Sequence, residues 1–123
     1  MAAVIDVDLE IDRISRSVGS VCSINYTYTL VCDEMEVRNG LSFTVSCEVW
    51  GKGVFVARVL ADSVYDTHTV PASLRSMHAR SFIVPCAELD EEFGKDEIYV
   101  QVYATSTLGA TFFGVSDLVK DHF

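Results

Sequence analysis

Apolar and polar residues alternate along most of this chain with a period of two. In "SVCSINYTYTLVC", Cys22, Ile24, Tyr26, Tyr28, Leu30 and Cys32 share one side, and Ser23, Asn25, Thr27 and Thr29 share the other. "LSFTVSCEVW" sets Leu41, Phe43, Val45, Cys47 and Val49 against Ser42, Thr44, Ser46 and Glu48. "EIYVQVYATST" sets Ile98, Val100, Val102 and Ala104 against Tyr99, Gln101, Tyr103 and Thr105. β-Branched and aromatic residues fill these runs, as half-buried pleated strands require. "VFVARVL", "VYDTHTV", "RSFIVP" and "ATFFGV" are shorter candidates, and with the opening segment they make about eight strands. A helical period is absent. The best helical turn is "PCAELDEEF", where Leu89 and Phe93 lie one turn apart and Gly94 could end it.

Turn residues in "RNG", "GKG", "FGKDE" and "TLG" separate the strands. With no repeat and no linker, residues 1–123 predict one all-β domain. The expected fold is an antiparallel β-sandwich of about eight strands, immunoglobulin-like or transthyretin-like in layout. A closed eight-stranded β-barrel is the alternative, since closure also removes sheet edges. In the opening "AVIDVDLEID", strict alternation places Asp6, Asp8, Glu10 and Asp12 on one face and Ile5, Val7, Leu9 and Ile11 in the core. Carboxylates about 7 Å apart along a strand repel weakly in water, so this ladder reads as a solvated face guarding a sheet edge.

Charge narrows the function. The chain carries 18 acidic and 9 basic residues, a net charge of −9, with no cluster of Lys and Arg. Phosphate backbones and anionic lipid surfaces both demand such clusters, so nucleic acid and membrane are not expected partners. "MAAVIDVD" has no basic segment before an apolar run, and the apolar runs are too short to span a bilayer, which points to a cytoplasmic chain. Cys22, Cys32, Cys47 and Cys86 lack C-x-x-C spacing, and in a reducing compartment they are expected as buried free thiols. A two-residue hairpin at Asn39–Gly40 would face Cys32 with Cys47, but it would also press Glu34 and Glu36 into the core. The segment "CDEMEVRNG" is therefore expected to bulge or loop out.

Candidate chemistry is sparse. If "DTHTVPASLRSMHAR" reverses around Ser73, His68 faces His78 and Asp66 faces Arg80, and His68, His78 and Asp66 could offer a metal three donors. The acidic run "AELDEEFGKDE" offers Asp90, Glu92 and Asp96 as oxygen ligands for calcium, although Gly94 and Lys95 break the EF-hand pattern. Otherwise no cofactor is implied. No nucleophile elbow or phosphate-binding glycine loop is present, and the carboxylates after Cys86 would raise its pKa, which argues against a thiolate nucleophile. Tyr26, Tyr28, Trp50, Tyr99 and Tyr103 could line a cavity for a lipophilic small molecule.

The strongest signal is surplus apolar surface. Half of the residues are hydrophobic, high for a small domain that keeps much of its surface wet. "GATFFGV" sends Phe112 and Phe113 to opposite faces, and Phe55 in "VFVARVL" opposes Val54 and Val56. Apolar side chains on both faces of a strand need a second body against them. The expected function is a non-enzymatic binding or assembly module acting through protein contacts at Phe55, Phe112 and Phe113, with itself as the expected partner. A lipophilic-ligand protein or motif-less barrel enzyme, and a calcium-dependent module on the acidic loops, are the alternatives.

Overall fold

The computed structural model describes residues 1–14, 21–52, 57–59, 66–86, 89 and 96–121. Two antiparallel sheets face each other as a β-sandwich. Sheet A has the order β1 (Ala3–Arg13), β2 (Val21–Val31), β6 (Arg75–Pro85). Sheet B is built on β3 (Ser42–Lys52) and β7 (Asp96–Ser106). Along its other side β3 carries β4 (Ala57–Val59) and β5 (Asp66–Pro71), while β7 carries β8 (Thr111–Val115) and β9 (Val119–Asp121). The sheets do not join into one closed barrel among the described residues.

The period-two runs supply both inner faces. Cys22, Ile24, Tyr26, Tyr28 and Leu30 of β2 are fully buried. So are Phe43, Val45, Cys47 and Val49 of β3 and Ile98, Val100, Val102 and Ala104 of β7. Each strand shows one buried and one wetter face, the arrangement that fixes register in a sandwich, because a slip of one residue would turn the whole apolar set outward.

β1 departs from strict alternation. Ile5 pairs with Thr29 and Asp8 with Thr27, so Asp6 and Val7 together oppose Tyr28 in a β-bulge. Asp6 takes the left-handed conformation there, with φ of 51°. The bulge changes the phase of the strand: Ala2 and Val4 are buried before it, Val7 after it, and Ile5 is exposed. The expectation that Ile5 joins the core is therefore corrected. Asp8, Glu10 and Asp12 keep their solvated face. The close approach of β1 to β8 depends on Gly114, where a Cβ would lie 2.7 Å from the Val4 carbonyl oxygen and 3.0 Å from a Val7 methyl.

After β2 the chain forms a short helix rather than a loop or a hairpin, α1 (Glu34–Arg38). Asp33 caps it: its Oδ1 accepts from the Glu36 amide at 2.8 Å, and Glu36 Oε1 accepts from the Asp33 amide at 2.9 Å, a complete capping box. The Leu41 amide donates to the Glu36 carbonyl at 3.2 Å and the Gly40 amide to Val37 at 3.1 Å, closing a Schellman motif that needs the positive φ of Gly40. This helix takes Glu34 and Glu36 out of the strands and carries the chain from sheet A to sheet B. Cys32 and Cys47 consequently sit in different parts of the core as free thiols.

The other two cysteines are not free. Cys22 and Cys86 form a disulfide with Cα atoms 5.2 Å apart, which corrects the expectation of four thiols. Cys22 opposes Val84 in the β2–β6 ladder, and that register brings Cys86, just past the end of β6, within reach. The expected helical turn after Pro85 is described only in part, by the Leu89 amide donating to the Cys86 carbonyl at 3.0 Å and by the burial of Leu89.

Candidate functional site

Two features stand out: a polar cluster where β5 meets β6, and an aromatic outer face on sheet B. The cluster exists because β2 and β6 pair with Tyr26 opposite Arg80 and Tyr28 opposite His78, all directed toward sheet B. β5 completes it from the other sheet. Arg80 donates from Nε to Asp66 Oδ2 at 3.0 Å and from Nη2 to Asp66 Oδ1 at 2.9 Å. The Tyr26 hydroxyl donates to Asp66 Oδ2, and the Tyr28 hydroxyl lies 2.6 Å from His68 Nε2. His78 stacks on the Tyr28 ring at 5.2 Å between centroids, and its Nε2 lies 2.9 Å from Ser76 Oγ.

Electrostatics follow from this geometry. The Arg80 hydrogen bonds hold the Asp66 carboxyl below the usual carboxylate range. Burial lowers His68 and His78, and the Arg80 charge lowers His68 further against the opposing pull of Asp66. Burial also pushes the Tyr26 and Tyr28 hydroxyls and the Cys47 thiol upward, so none is a ready nucleophile at neutral pH. If Tyr28 donates to Nε2 of His68, the ring proton sits on Nδ1, 3.6 Å from Asp66 Oδ2. No hydrogen bond joins His68 Nδ1 to Asp66 at that distance, so the three side chains do not form a proton relay, and Tyr28 itself is fully buried. The cluster ties the two sheets together.

The expected facing of His68 with His78 and of Asp66 with Arg80 thus has a spatial counterpart, but not through a hairpin. β5 pairs with β3 and β6 with β2, so the residues meet across the sandwich. Nor do the three proposed ligands open toward a metal: Asp66 is taken by Arg80 and Tyr26, and His68 Nε2 by Tyr28. No group of three His, Cys, Asp or Glu side chains converges as a metal site among the described residues. Of the calcium candidates, Asp90 and Glu92 lie outside the described residues, and Asp96 opens β7 opposite Asp121.

The five aromatic residues expected to line one cavity are divided by sheet B. Tyr26 and Tyr28 point into the core. Trp50, Tyr99 and Tyr103 occupy the positions of β3 and β7 that alternate with the buried ones, so they face outward. The physical reason is parity: Val49, Val100 and Val102 fill the inner face. On that outer face Trp50 stacks on Tyr99 at 6.1 Å between centroids, and Tyr103 meets Phe113 at 6.0 Å. Phe113 is 63% exposed and Val115, opposite Gln101, is 49% exposed. Phe112 turns inward and packs against the core, which removes it from the expected interface. Phe55 lies outside the described residues. The alternation in "TFFGV" places Val115 on the same face as Phe113 and Phe112 on the other.

A second apolar pair, Met77 at 78% and Ile83 at 62% exposure, sits on the outer face of β6. A shallow groove of about 340 Å³ crosses sheet A beside it, lined by small and polar residues that include Asn25, Thr27, Ala79 and Ser81. There Asn25 Nδ2 donates to Asp12 Oδ2 at 3.1 Å, and Ser81 Oγ donates to Asn25 Oδ1 at 2.7 Å.

Among the described residues no helix is long and apolar enough to cross a membrane. No family model matches the chain. No curated protein matches it either. Among solved structures, it is similar to Northeast Structural Genomics Consortium target SoR45, determined by X-ray methods. The two share 12% identity at a TM-score of 0.48, over 98% of this chain and 86% of that one.

Proposed function

We propose that this chain is a non-enzymatic protein-binding module that associates with further copies of itself. The observation that carries this reading is the outer face of sheet B, where Phe113 and Val115 stand exposed beside the Tyr103, Tyr99 and Trp50 rings. Aromatic side chains on a rigid sheet are effective anchors for protein contacts: they bury much apolar area and lose little side-chain entropy. Thr44, Thr105 and Thr111 supply a polar rim. The net charge of −9 keeps such assemblies soluble and disfavours nucleic acid as the partner.

Against an enzyme stands the packing of Asp66, His68 and Tyr28 among the described residues, with Tyr28 fully buried and its hydroxyl held by His68. Sulfur chemistry bears on the compartment. The cytoplasm expected from the sequence would hold Cys22 and Cys86 reduced, so the disulfide favours an oxidising compartment, and thiol labelling in intact cells separates the two.

Association predicts that the mean solution mass falls toward the 13.6 kDa of one chain on dilution, and that Phe113→Asp gives the lower mass at every concentration. A mass independent of both dilution and Phe113→Asp would contradict the proposal.

A further inference from the structure

We propose that two copies of the chain also join edge to edge through β6, antiparallel about a two-fold axis at Arg80, with Met77 of each copy against the partner's Ile83. This rests on the reading of the chain as a self-associating module and adds a second contact, on the other sheet, with its own register. β6 is an 11-residue strand whose pairing with β2 runs unbroken from Arg75 to Pro85. Among the described residues β2 is its only ladder partner, and Ala79, Arg80 and Ser81 are exposed in succession, as at an open edge. Long edges in natural sheets are usually blunted by bulges, prolines or outward charges. β6 has no bulge, its proline comes only at its last position, and its central charge is held by Asp66 of the same chain.

The residues select the partner and the register. Antiparallel pairing of a strand with its own copy keeps like faces together only when the axis falls on a residue. With the axis at Arg80, Met77 faces the partner's Ile83 twice by symmetry, and the small Ala79 faces the partner's Ser81 between them. Moving the axis to Ala79 sets Ile83 against the partner's Arg75, and moving it to Ser81 sets Met77 against the partner's Pro85. Only the Arg80 axis matches the two most exposed apolar side chains of the strand with each other. The result is a continuous sheet of six strands, two copies of the three in sheet A.

The register is testable by cross-linking. Facing residues of antiparallel strands have Cα atoms about 4.5–5.5 Å apart, within disulfide reach. Cys32 and Cys47 are buried and do not compete. Met77→Cys and Ile83→Cys chains, mixed and mildly oxidised, are expected to give a covalent dimer carrying one of each, while either variant alone stays uncoupled. Absence of the mixed dimer, or equal coupling of a single variant with itself, would overturn the proposal. The same mixture is then prepared with Phe113→Asp in both chains. Retention of the mixed dimer supports edge pairing as a contact separate from the sheet B face. If the mixed dimer forms but the mass of the otherwise wild-type chain is unaffected by Phe113→Asp, the sheet B reading fails and the edge pairing stands.

Discussion

Asp66 of β5 and Arg80 of β6 belong to different sheets, and their side chains meet in a two-pronged contact at 3.0 and 2.9 Å. The carboxylate is 11% exposed and the guanidinium 41%, so Asp66 relies on Arg80 and on the Tyr26 hydroxyl for its compensation. Removing Arg80 leaves a largely buried carboxylate with one hydrogen-bond donor fewer. Loss of a fully buried partner costs roughly 3–5 kcal/mol, and solvent access at Arg80 reduces this, so Arg80→Ala is expected to cost about 1–2 kcal/mol in urea unfolding. Asp66→Asn in the same background recovers part of the loss. If both single variants unfold at the wild-type midpoint, the contact does not join the sheets.

Acid is expected to destabilise the fold in two stages. The folded pKa values of His68 and His78 lie below the ordinary 6.5, so the unfolded chain takes up protons first as pH falls. Their contribution is complete above that value and is lost on acidification through the folded pKa values. Around His68 stand Arg80, Asp66, His78 and Tyr28, and protonating both imidazoles would add two charges beside Arg80. The Asp66 contribution is lost later, below the ordinary carboxyl value of 3.8. Unfolding midpoints compared at about pH 7 and pH 5 check the first stage. His68→Gln/His78→Gln flattens the difference, and an equal slope in the variant and the wild type would assign it to other groups.

Sulfur chemistry gives a count. The denatured chain without reductant is expected to titrate two thiols, Cys32 and Cys47. The Cys22–Cys86 bond closes a sequence separation of 64, for which chain entropy gives a stabilisation of about 4 kcal/mol. Against a typical domain stability of roughly 5–15 kcal/mol, reduction should lower the unfolding midpoint markedly. Four titratable thiols would remove the bond.

The bulge in β1 distinguishes neighbouring acids. Asp6 at φ of 51° tolerates a conformation that a β-branched residue does not, whereas Asp8 lies past the bulge in regular pairing. Asp6→Val is therefore expected to destabilise by about 1–2 kcal/mol more than Asp8→Val, measured by thermal or urea unfolding. Equal losses would show that the left-handed turn is not required. Gly114→Val tests the same corner from β8, because its side chain would meet the Val4 carbonyl.

Alternation made β2, β3 and β7 legible, because each buries one whole face and no insertion interrupts the phase. β1 misled at Ile5: one extra residue shifts the phase, and it is favoured by a contact with Gly114 more than a hundred positions away. A 5-residue helix is too short to show a period, although the Asp33 to Glu36 spacing carries its capping box openly. Asp66 and Arg80 were visible as a facing pair, yet the symmetry that suggested a hairpin is produced by two strands in separate sheets. Cys86 gave no local signal, since its partner is set by the β2–β6 register. Tyr99 and Tyr103 could have been placed outside by parity alone, because they alternate with Val100 and Val102.

The most direct measurement is the solution mass of the wild-type chain and of Phe113→Asp by sedimentation velocity at high micromolar concentration. A module that works by self-association through the sheet B face gives a wild-type mass well above the 13.6 kDa of one chain, and a smaller assembly for the variant with unchanged circular dichroism. A wild-type monomer, or an assembly indifferent to Phe113→Asp, would contradict it.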